Sequence, residues 1–350
     1  MGRKVLFLTI IFALIGGCAS PSRRRANFLS SISTQEEIKL GREFRREAKK
    51  NLKLVVHPEI QRYIDRIGER LLSTMGPQPF EYRFTVVENS QLNAFAVPGG
   101  SIYIHTGLIE KARSTDELAS VVGHEMSHVK ARHIARMSGP DPVNLLGLLG
   151  LFLGGAGTGG QAAAMLGPAL AATKQLAYSR TLEQEADTLG VKHMAEAGFD
   201  PHAALSFFQI INQEKILNPV DAPAYLLTHP LTRERIGSVE AIIGSLRLKR
   251  PGLRGPDPIR KIQILLRLRK NESDALIANH EKFISRQQGT AESWHVLGMA
   301  YHDKGKLSLA REKYERARNM DSNRPGIHRD LGRLYTQIGE PRLAHESFQR

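Results

Sequence analysis

Residues 121–133, VVGHEMSHVKARH, contain three histidines and one glutamate within an otherwise apolar helical pattern. Positions four apart lie on one face of a helix, so the imidazoles of His124 and His128 can bind one metal ion between them. Glu125 lies about 100° further round the helix, where it misses the ion but can reach a water bound to it. Zinc lowers the pKa of such a water to about 7, and a nearby carboxylate can accept its proton during attack on a peptide carbonyl. The spacing therefore predicts a metal-binding helix that also carries a general base.

This motif leaves the third metal ligand unnamed. A histidine six positions after the second one would fit one known pattern, but Ile134 stands there and His133 is one position off. A later stretch, SRTLEQEADTLG, offers Glu183 and Asp187 four positions apart on one helical face. Glu183 would complete a site of two histidines and one glutamate that leaves the fourth position for water. Asp187 would accept a hydrogen bond from a ligand histidine and fix its tautomer. The alternative is a surface helix with ordinary acidic residues.

The sequence around these motifs predicts the elements that must position them. Ser33-x-x-Glu36 and Ser114-x-x-Glu117 are capping boxes, and the second one starts the helix of the opening motif. The other expected elements are helices at about 33–50, 59–74 and 172–197, a strand at 82–87 and a hairpin at 93–109.

A Gly/Ala/Leu-rich segment at 143–173 separates the two candidate metal-binding helices. Its apolar core is about fifteen residues long and interrupted by glycines, which is short of the roughly twenty residues needed to span a bilayer. Two interpretations remain open. The segment is either a flap or membrane-skimming hairpin beside the site, or it is packed into the core.

An internal repeat follows a proline- and glycine-rich linker at 251–259. Seven positions recur after 34 residues, which is the tetratricopeptide period. They are Trp294, Leu297, Gly298, Tyr301, Gly305, Ala310 and Tyr314, matched by His328, Leu331, Gly332, Tyr335, Gly339, Ala344 and Phe348. Within 258–350 we expect two clear repeats, at 291–324 and 325–350, and one weaker unit before them, because a stable stack usually needs at least three helical pairs.

The first residues follow the pattern of an exported lipoprotein. MGRKVLFLTIIFALIGGCAS has a basic start, a short apolar run and small residues before Cys18, the only cysteine. We expect residues 1–17 to be a signal peptide, Cys18 to be acylated and residues 18–32 to be a tether, with an ordinary secretory signal as the alternative. Cleavage would remove two basic residues from a net charge of +14, leaving +12. In an exported chain, this charge favours anionic lipid surfaces or acidic clients and not nucleic acid.

Four motifs resemble one family when they are taken together. They are VGHExxHxxxRH at 122–133, SRxxExxAD at 179–187, NAFAVPGG at 93–100 and THPL at 228–231. These motifs resemble the gluzincin metallopeptidases of the HtpX and CAAX prenyl protease type. The repeat tail makes BepA-like periplasmic protease/chaperones the nearest subgroup. The resemblance implies an α+β, mainly helical fold, in which a zincin-like metallopeptidase domain with a small β-sheet at 33–250 precedes an all-α tetratricopeptide-repeat domain.

The resemblance also implies a set of site residues. One zinc ion per chain would be held by His124, His128 and Glu183, with Glu125 as the base. His229 would lie near the metal, either as a reversible fourth ligand that silences the enzyme or as a hydrogen-bond donor to the oxyanion.

Other residues would support this site. Arg180 and Asp187 would lie just outside the metal ligands, whereas His105 and His133 would serve structure. An extended substrate would add a strand to the sheet, because backbone pairing gives sequence-tolerant affinity. The residues expected beside that substrate are Asn93, Ala94, Phe95 and Ala96.

The leading hypothesis is a zinc-dependent endopeptidase that degrades misfolded or stalled outer-membrane proteins in the bacterial cell envelope. It would work in the periplasm, anchored through Cys18, and Ala19 in place of aspartate favours the outer membrane by resemblance to other lipoproteins. Its partners would be unfolded or misassembled envelope proteins and, through the repeats, the outer-membrane assembly machinery, with no nucleic acid. The alternative is a tetratricopeptide-based assembly chaperone or scaffold whose metal site is latent or structural.

Overall fold

The computed structural model describes residues 32–138, 179–218, 223–247, 257–287, 289–324 and 326–350. The expected signal peptide, Cys18 and the Gly/Ala/Leu-rich segment at 143–173 lie outside the described residues. Within the described ranges, the helices are too short or too polar to cross a membrane.

The described part of the chain is mainly helical with one small sheet. The strands are β1 Arg83–Val87, β2 Ala94–Val97 and β3 Ser101–His105. The helices before the 143–173 segment are α1 Thr34–Asn51, α2 Pro58–Leu72, α3 Thr106–Lys111, α4 Thr115–Lys130 and α5 His133–Ser138. Those after it are α6 Arg180–Glu196, α7 Ala203–Leu217, α8 Ala224–Thr228, α9 Arg233–Ser245, α10 Ile259–Arg269, α11 Ser273–Gln287, α12 Ala291–Asp303, α13 Leu307–Met320, α14 Ile327–Gln337 and α15 Pro341–Gln349.

The sheet confirms the predicted strand and hairpin. Its order is β1-β3-β2, with β1 parallel and β2 antiparallel to β3, so β2 lies at an edge. The hairpin turns at Gly99 and Gly100, whose φ angles of 77° and 92° are in the region that favours glycine. His105 N donates to Asn93 O at 3.1 Å. Because hydrogen-bonded pairs alternate in an antiparallel ladder, the backbone groups of Ala94 and Ala96 point away from β3.

Helices α4 and α6 approach closely enough for their side chains to form one site. A Cβ atom added to Gly190 would lie 3.2 Å from the carbonyl carbon of Gly123 and from the amide nitrogen of His124. A larger residue at position 190 would therefore push the helices apart. The close approach places the first histidine of α4 beside the carboxylates of α6.

The start of α6 corrects one expectation. The sequence predicts a helix from about residue 172, whereas α6 begins at Arg180. Ser179 has an extended backbone and its side chain accepts a hydrogen bond from the amide of Leu182, so it is the N-cap. The predicted end is confirmed, since Gly198 follows with a φ angle of 76°.

Helix α10 belongs to two hydrophobic cores, although the sequence assigns it to the weak first repeat. Ile259, Ile262 and Leu266 pack into the core formed by α2, α4 and the sheet, while Leu268 packs into the core of the helices that follow. The junction also contains a buried carboxylate: Glu59 on α2 lies 2.6 Å from Arg329 Nη2 on α14. The later helices are therefore packed directly against the domain that contains the metal-binding motif.

The 34-residue sequence repeat coincides with repeated packing. Gly298 on α12 faces the ring of Tyr314 on α13, and Gly332 on α14 faces the ring of Phe348 on α15. In both pairs a Cβ atom on the glycine would overlap the ring. Each small residue thus makes room for an aromatic one sixteen positions later.

Candidate metal centre

Four buried side chains from three parts of the chain converge between α4 and α6. His124, His128, Glu183 and His229 each offer one nitrogen or oxygen atom, and these four atoms lie within 4.8 Å of one another. The exposed fraction of each residue is 5% or less. Helices α4 and α6 supply the first three residues, while His229 follows the short helix α8.

Four of the six distances among these atoms are close to those of a tetrahedral zinc site, and all six are within 4.8 Å. Ligand atoms placed about 2.0–2.1 Å from zinc at tetrahedral corners lie about 3.3 Å apart. His124 Nε2 lies 2.9 Å from His128 Nε2 and 3.3 Å from His229 Nδ1. Glu183 Oε1 lies 3.3 Å from His128 Nε2 and 3.0 Å from His229 Nδ1. Two imidazoles and a carboxylate are also the donor types that zinc prefers, so the residues fit this metal.

Glu125 lies at the border of this cluster and is completely buried. Its Oε2 atom accepts a hydrogen bond of 3.0 Å from the amide of Ala96 on β2, and its Oε1 atom lies 3.4 Å from His229 Nε2. The carboxylate is thus placed between the candidate ligands and the edge strand, where it could accept a proton from a water at the centre.

The second ring nitrogen of each α4 histidine also has a partner. Asp187 Oδ1 lies 2.9 Å from His124 Nδ1, which is the contact that the sequence predicts for this aspartate. His133 Nδ1 lies 2.8 Å from His128 Nδ1. The sequence predicts a structural role for His133, and the structure adds this contact with a candidate ligand.

Arg180 does not join the site, whereas an unpredicted arginine does. Arg180 is exposed in the first turn of α6. The arginine beside the ligands is Arg235 on α9, which is 2% exposed. Its Nη1 atom lies 2.6 Å from Glu183 Oε2, and it forms two hydrogen bonds with Asp187. The position predicted for Arg180 is therefore taken by Arg235.

Tyr225 on α8 is a second unpredicted neighbour. Its ring stacks on that of His229, with ring centroids 4.5 Å apart and planes inclined by 27°. Burial raises the pKa of its phenol well above the ordinary value, so the group stays protonated. This stacking restricts the rotation of the His229 ring.

Burial and neighbouring charges set the protonation of the cluster. Burial holds the pKa of His128 well below its usual range, which favours the neutral imidazole that a metal requires. Burial also acts against the charge of Glu183, but the histidines around it outweigh that effect and hold its pKa well below the usual range. By contrast, burial raises the pKa of Glu125, which brings this carboxylate closer to neutral pH. A charged ligand thus lies beside a more basic carboxylate suited to proton transfer.

Of the four residues expected beside a substrate, two face the outer edge of the sheet. Ala94 and Ala96 direct their backbone groups away from β3, but both residues are buried. Asn93 is hydrogen-bonded to β3, and the ring of Phe95 stacks on Tyr103 at a centroid distance of 5.1 Å. His105 lies at the end of β3 and is not among the four clustered donors.

Comparisons with known proteins agree with this geometry. The chain is 31% identical to the Beta-barrel assembly-enhancing protease of Escherichia coli (strain K12), over 70% of this chain and 53% of that protein. It is 32% identical to the protein of the same name from Yersinia pestis, over 59% of this chain and 44% of that protein. It is also 29% identical to the Mitochondrial metalloendopeptidase OMA1 of Schizosaccharomyces pombe, over 54% of each chain.

The chain spans about half the length of these curated relatives. The matched family model covers residues 58–243, which include α2, the sheet, the four clustered donors and Arg235. This range is more than half of the chain. The chain therefore belongs to Peptidase family M48.

Proposed function

We propose that this protein is a zinc-dependent endopeptidase in which His124, His128 and Glu183 hold the metal and Glu125 is the general base. The observation that carries the proposal is the set of donor distances near 3.3 Å with a buried carboxylate at its border. Zinc, when bound there, supplies a Lewis acid and an activated water. Glu125 accepts the proton. In the substrate-free chain its orientation is fixed by the hydrogen bond from Ala96.

We further propose that His229 is a reversible fourth ligand that keeps the enzyme latent. Catalytic zinc sites keep one coordination position open, whereas structural sites are closed by four protein ligands. His229 Nδ1 lies 3.3 Å from His124 Nε2 and 3.0 Å from Glu183 Oε1, so it would hold the metal in place of a water. Movement of His229 would open this coordination position and expose Glu125. The oxyanion role is the second possibility for the same residue, because its Nε2 atom faces Glu125 Oε1.

Substrate would bind as an added strand on the outer edge of β2. Ala94 and Ala96 supply the backbone groups for pairing, and Ala96 lies next to the base. In the closed arrangement the amide of Ala96 is occupied by Glu125, so a substrate must displace that contact. Binding of the substrate strand would then also free the Glu125 carboxylate from the amide of Ala96.

The setting that we propose is the bacterial cell envelope. Curated relatives from Escherichia coli and Yersinia pestis are named for enhancing β-barrel assembly, which supports misfolded or stalled outer-membrane proteins as substrates. Acylation at Cys18 would anchor the protein to the outer membrane from the periplasm. The 34-residue repeat, with its paired Gly298 and Tyr314, supports a tetratricopeptide surface for clients or assembly machinery.

The competing function is an assembly chaperone with a latent or structural metal site. Two observations favour it: the donors already include four protein side chains, and the repeats form a core of their own. The two functions differ in whether the protein's role in the envelope needs Glu125.

The decisive experiment compares Glu125→Gln with wild type for zinc content and for cleavage of an unfolded protein. We expect zinc to be retained and cleavage to fall by about 10²-fold or more, since a general base contributes about 10²–10⁴-fold. Glu196→Gln, an exposed carboxylate on α6, is the control. If latency hides wild-type activity, the same comparison is made in a His229→Ala background. Undiminished cleavage by the metal-loaded Glu125→Gln variant would refute the mechanism.

A test in cells separates the two functions. A strain lacking the protein is complemented with Glu125→Gln or with a chain truncated after residue 270, which keeps the core residues of α10. Rescue by Glu125→Gln together with failure of the truncated chain would favour the chaperone. Failure of Glu125→Gln at normal protein abundance supports the peptidase.

A further inference from the structure

The two α4 histidines have different partners on the side away from the cluster. His124 has the carboxylate of Asp187, whereas His128 has a third histidine, His133, with the two Nδ1 atoms 2.8 Å apart. His128 and His133 are both completely buried. His133 Nε2 in turn lies 3.2 Å from Glu185 Oε2. A chain of three side chains thus leads from the candidate metal position to the protein surface.

The positions of the protons along this chain follow from zinc binding at His128, so the inference rests on the proposed function. The Nε2 atom of His128 faces the cluster and must be free of a proton to bind metal. Its Nδ1 atom then carries the proton and donates a hydrogen bond to His133 Nδ1. A neutral His133 that accepts at Nδ1 has its own proton on Nε2, where it donates to Glu185. Every hydrogen bond in the chain then has one donor and one acceptor.

The acceptor at the end of the chain is held from a second side. Arg136 Nη1 donates to the same oxygen, Glu185 Oε2, at 3.0 Å. The side chain of Glu185 is 40% exposed, so this ion pair is weak in energy but fixes the direction of the carboxylate. The carboxylate comes from α6, the helix that also supplies Glu183.

The backbone turns sharply to place His133 beside His128. Arg132, which separates α4 from α5, has a φ angle of 53°, a conformation that residues other than glycine rarely adopt. The side chain of Arg132 donates to Glu37 Oε1 at 2.5 Å and to the carbonyl of Ile32 at 2.6 Å. These contacts with α1 stabilise the turn. A regular continuation of α4 would have put position 133 about 140° away from position 128 around the helix.

We infer that His133 and Glu185 are positioning residues that orient His128 for zinc through its Nδ1–H group. Ligand histidines usually donate their second N–H group to a carboxylate, carbonyl or water, and loss of that partner typically weakens metal binding 10–100-fold. Here the neutral imidazole of His133 is the acceptor for His128, and its own N–H group donates to Glu185.

The test measures the zinc dissociation constant of the purified full chain by chelator competition. We expect His133→Phe, which keeps a ring but removes the acceptor, to bind zinc about 10–100-fold more weakly. His133→Asn restores an acceptor near the Nδ1 position and should recover most of the affinity. The matched control is His193→Phe, a buried histidine on α6 whose Nδ1 atom contacts Thr74 instead of a candidate ligand. This control should lower thermal stability without changing zinc affinity.

A second variant covers the case in which His133→Phe does not fold. Glu185→Leu changes a partly exposed side chain, and we expect it to weaken zinc binding several-fold. The inference would be overturned if Glu185→Leu bound zinc as tightly as wild type and a folded variant that lacks the His133 acceptor did so as well. Absence of zinc binding by wild type would instead overturn the proposed function, so the two failures are distinguishable.

Discussion

The guanidinium group of Arg235 forms two parallel hydrogen bonds with the carboxylate of Asp187. Nε lies 2.7 Å from Oδ2, and Nη2 lies 2.8 Å from Oδ1. The same Oδ1 atom contacts His124 Nδ1 at 2.9 Å, and Arg235 Nη1 reaches Glu183 at 2.6 Å. One buried arginine therefore connects a candidate metal ligand with the carboxylate that orients another ligand. Lysine could not make these contacts together, because it lacks the planar fork of nitrogen donors.

We predict that Arg235→Met lowers the free energy of unfolding by about 3–5 kcal/mol, because it leaves two buried carboxylates without their cation. Arg235→Lys keeps the charge and should lose less stability, but it should bind zinc more weakly. Urea unfolding and chelator competition measure the two effects. Arg233→Met, an exposed arginine on the same helix, should change neither. A change below about 1 kcal/mol in Arg235→Met would show that Arg235 is not required for the stability of the site.

We predict that His229→Ala raises basal proteolysis of an unfolded substrate, because it opens the fourth corner of the metal site. Zinc should still bind through the three remaining donors. The measurement is the initial rate of cleavage at equal zinc loading, with His202→Ala, an exposed histidine, as the control. A fall in the cleavage rate would support the oxyanion role instead, and an unchanged rate would exclude both roles.

Contacts within one helix could be predicted from the sequence, whereas contacts between elements mostly could not. His124 and His128, like Glu183 and Asp187, are four positions apart, so helical geometry alone places each pair on one face. The hairpin at Gly99 was predictable because its turn residues are specific.

The position of His133 depends on the turn at Arg132. Nothing in the residue type of an arginine indicates a positive φ angle, so a straight helix was the better expectation.

The role of Arg235 could have been predicted from the sequence. This residue shares a spacing of four with Val239 and Ile243, both buried, so an arginine interrupts the apolar face of α9. A cation on such a face needs a buried anion, and Asp187 provides it.

Three glycines on helix faces should respond differently to alanine. We predict that Gly298→Ala lowers the free energy of unfolding by about 1–3 kcal/mol, because its Cβ atom would overlap the buried ring of Tyr314. Gly332→Ala should cost less, since the ring that it meets, Phe348, is 54% exposed and can move. Gly237→Ala should stabilise by up to about 1 kcal/mol, because no atom lies within 4 Å of the added Cβ and alanine favours the helix. Thermal and urea unfolding rank the three variants, and equal effects at positions 298 and 237 would contradict the packing.

Acid sensitivity is expected at His105, which lies at the end of β3 and is 6% exposed. Burial lowers the pKa of this imidazole to about 4, whereas an unfolded histidine has a pKa near 6.5. Between these values the unfolded chain binds more protons than the folded chain, so the free energy of unfolding falls as the pH falls from about 7 to about 4. The difference between the two pKa values corresponds to a loss of about 3 kcal/mol in the free energy of unfolding over this pH range.

The measurement is urea unfolding of the metal-free protein at pH 7, 5.5 and 4, which removes the pH dependence of zinc binding from the comparison. His105→Gln cannot titrate, so we expect the stability difference between wild type and this variant to shift by about 3 kcal/mol against wild type as the pH falls. His345→Gln, an exposed histidine on α15, should follow wild type at every pH. Parallel curves for wild type and His105→Gln would mean that His105 is protonated equally in the folded and unfolded chains, and that its burial is not maintained in solution.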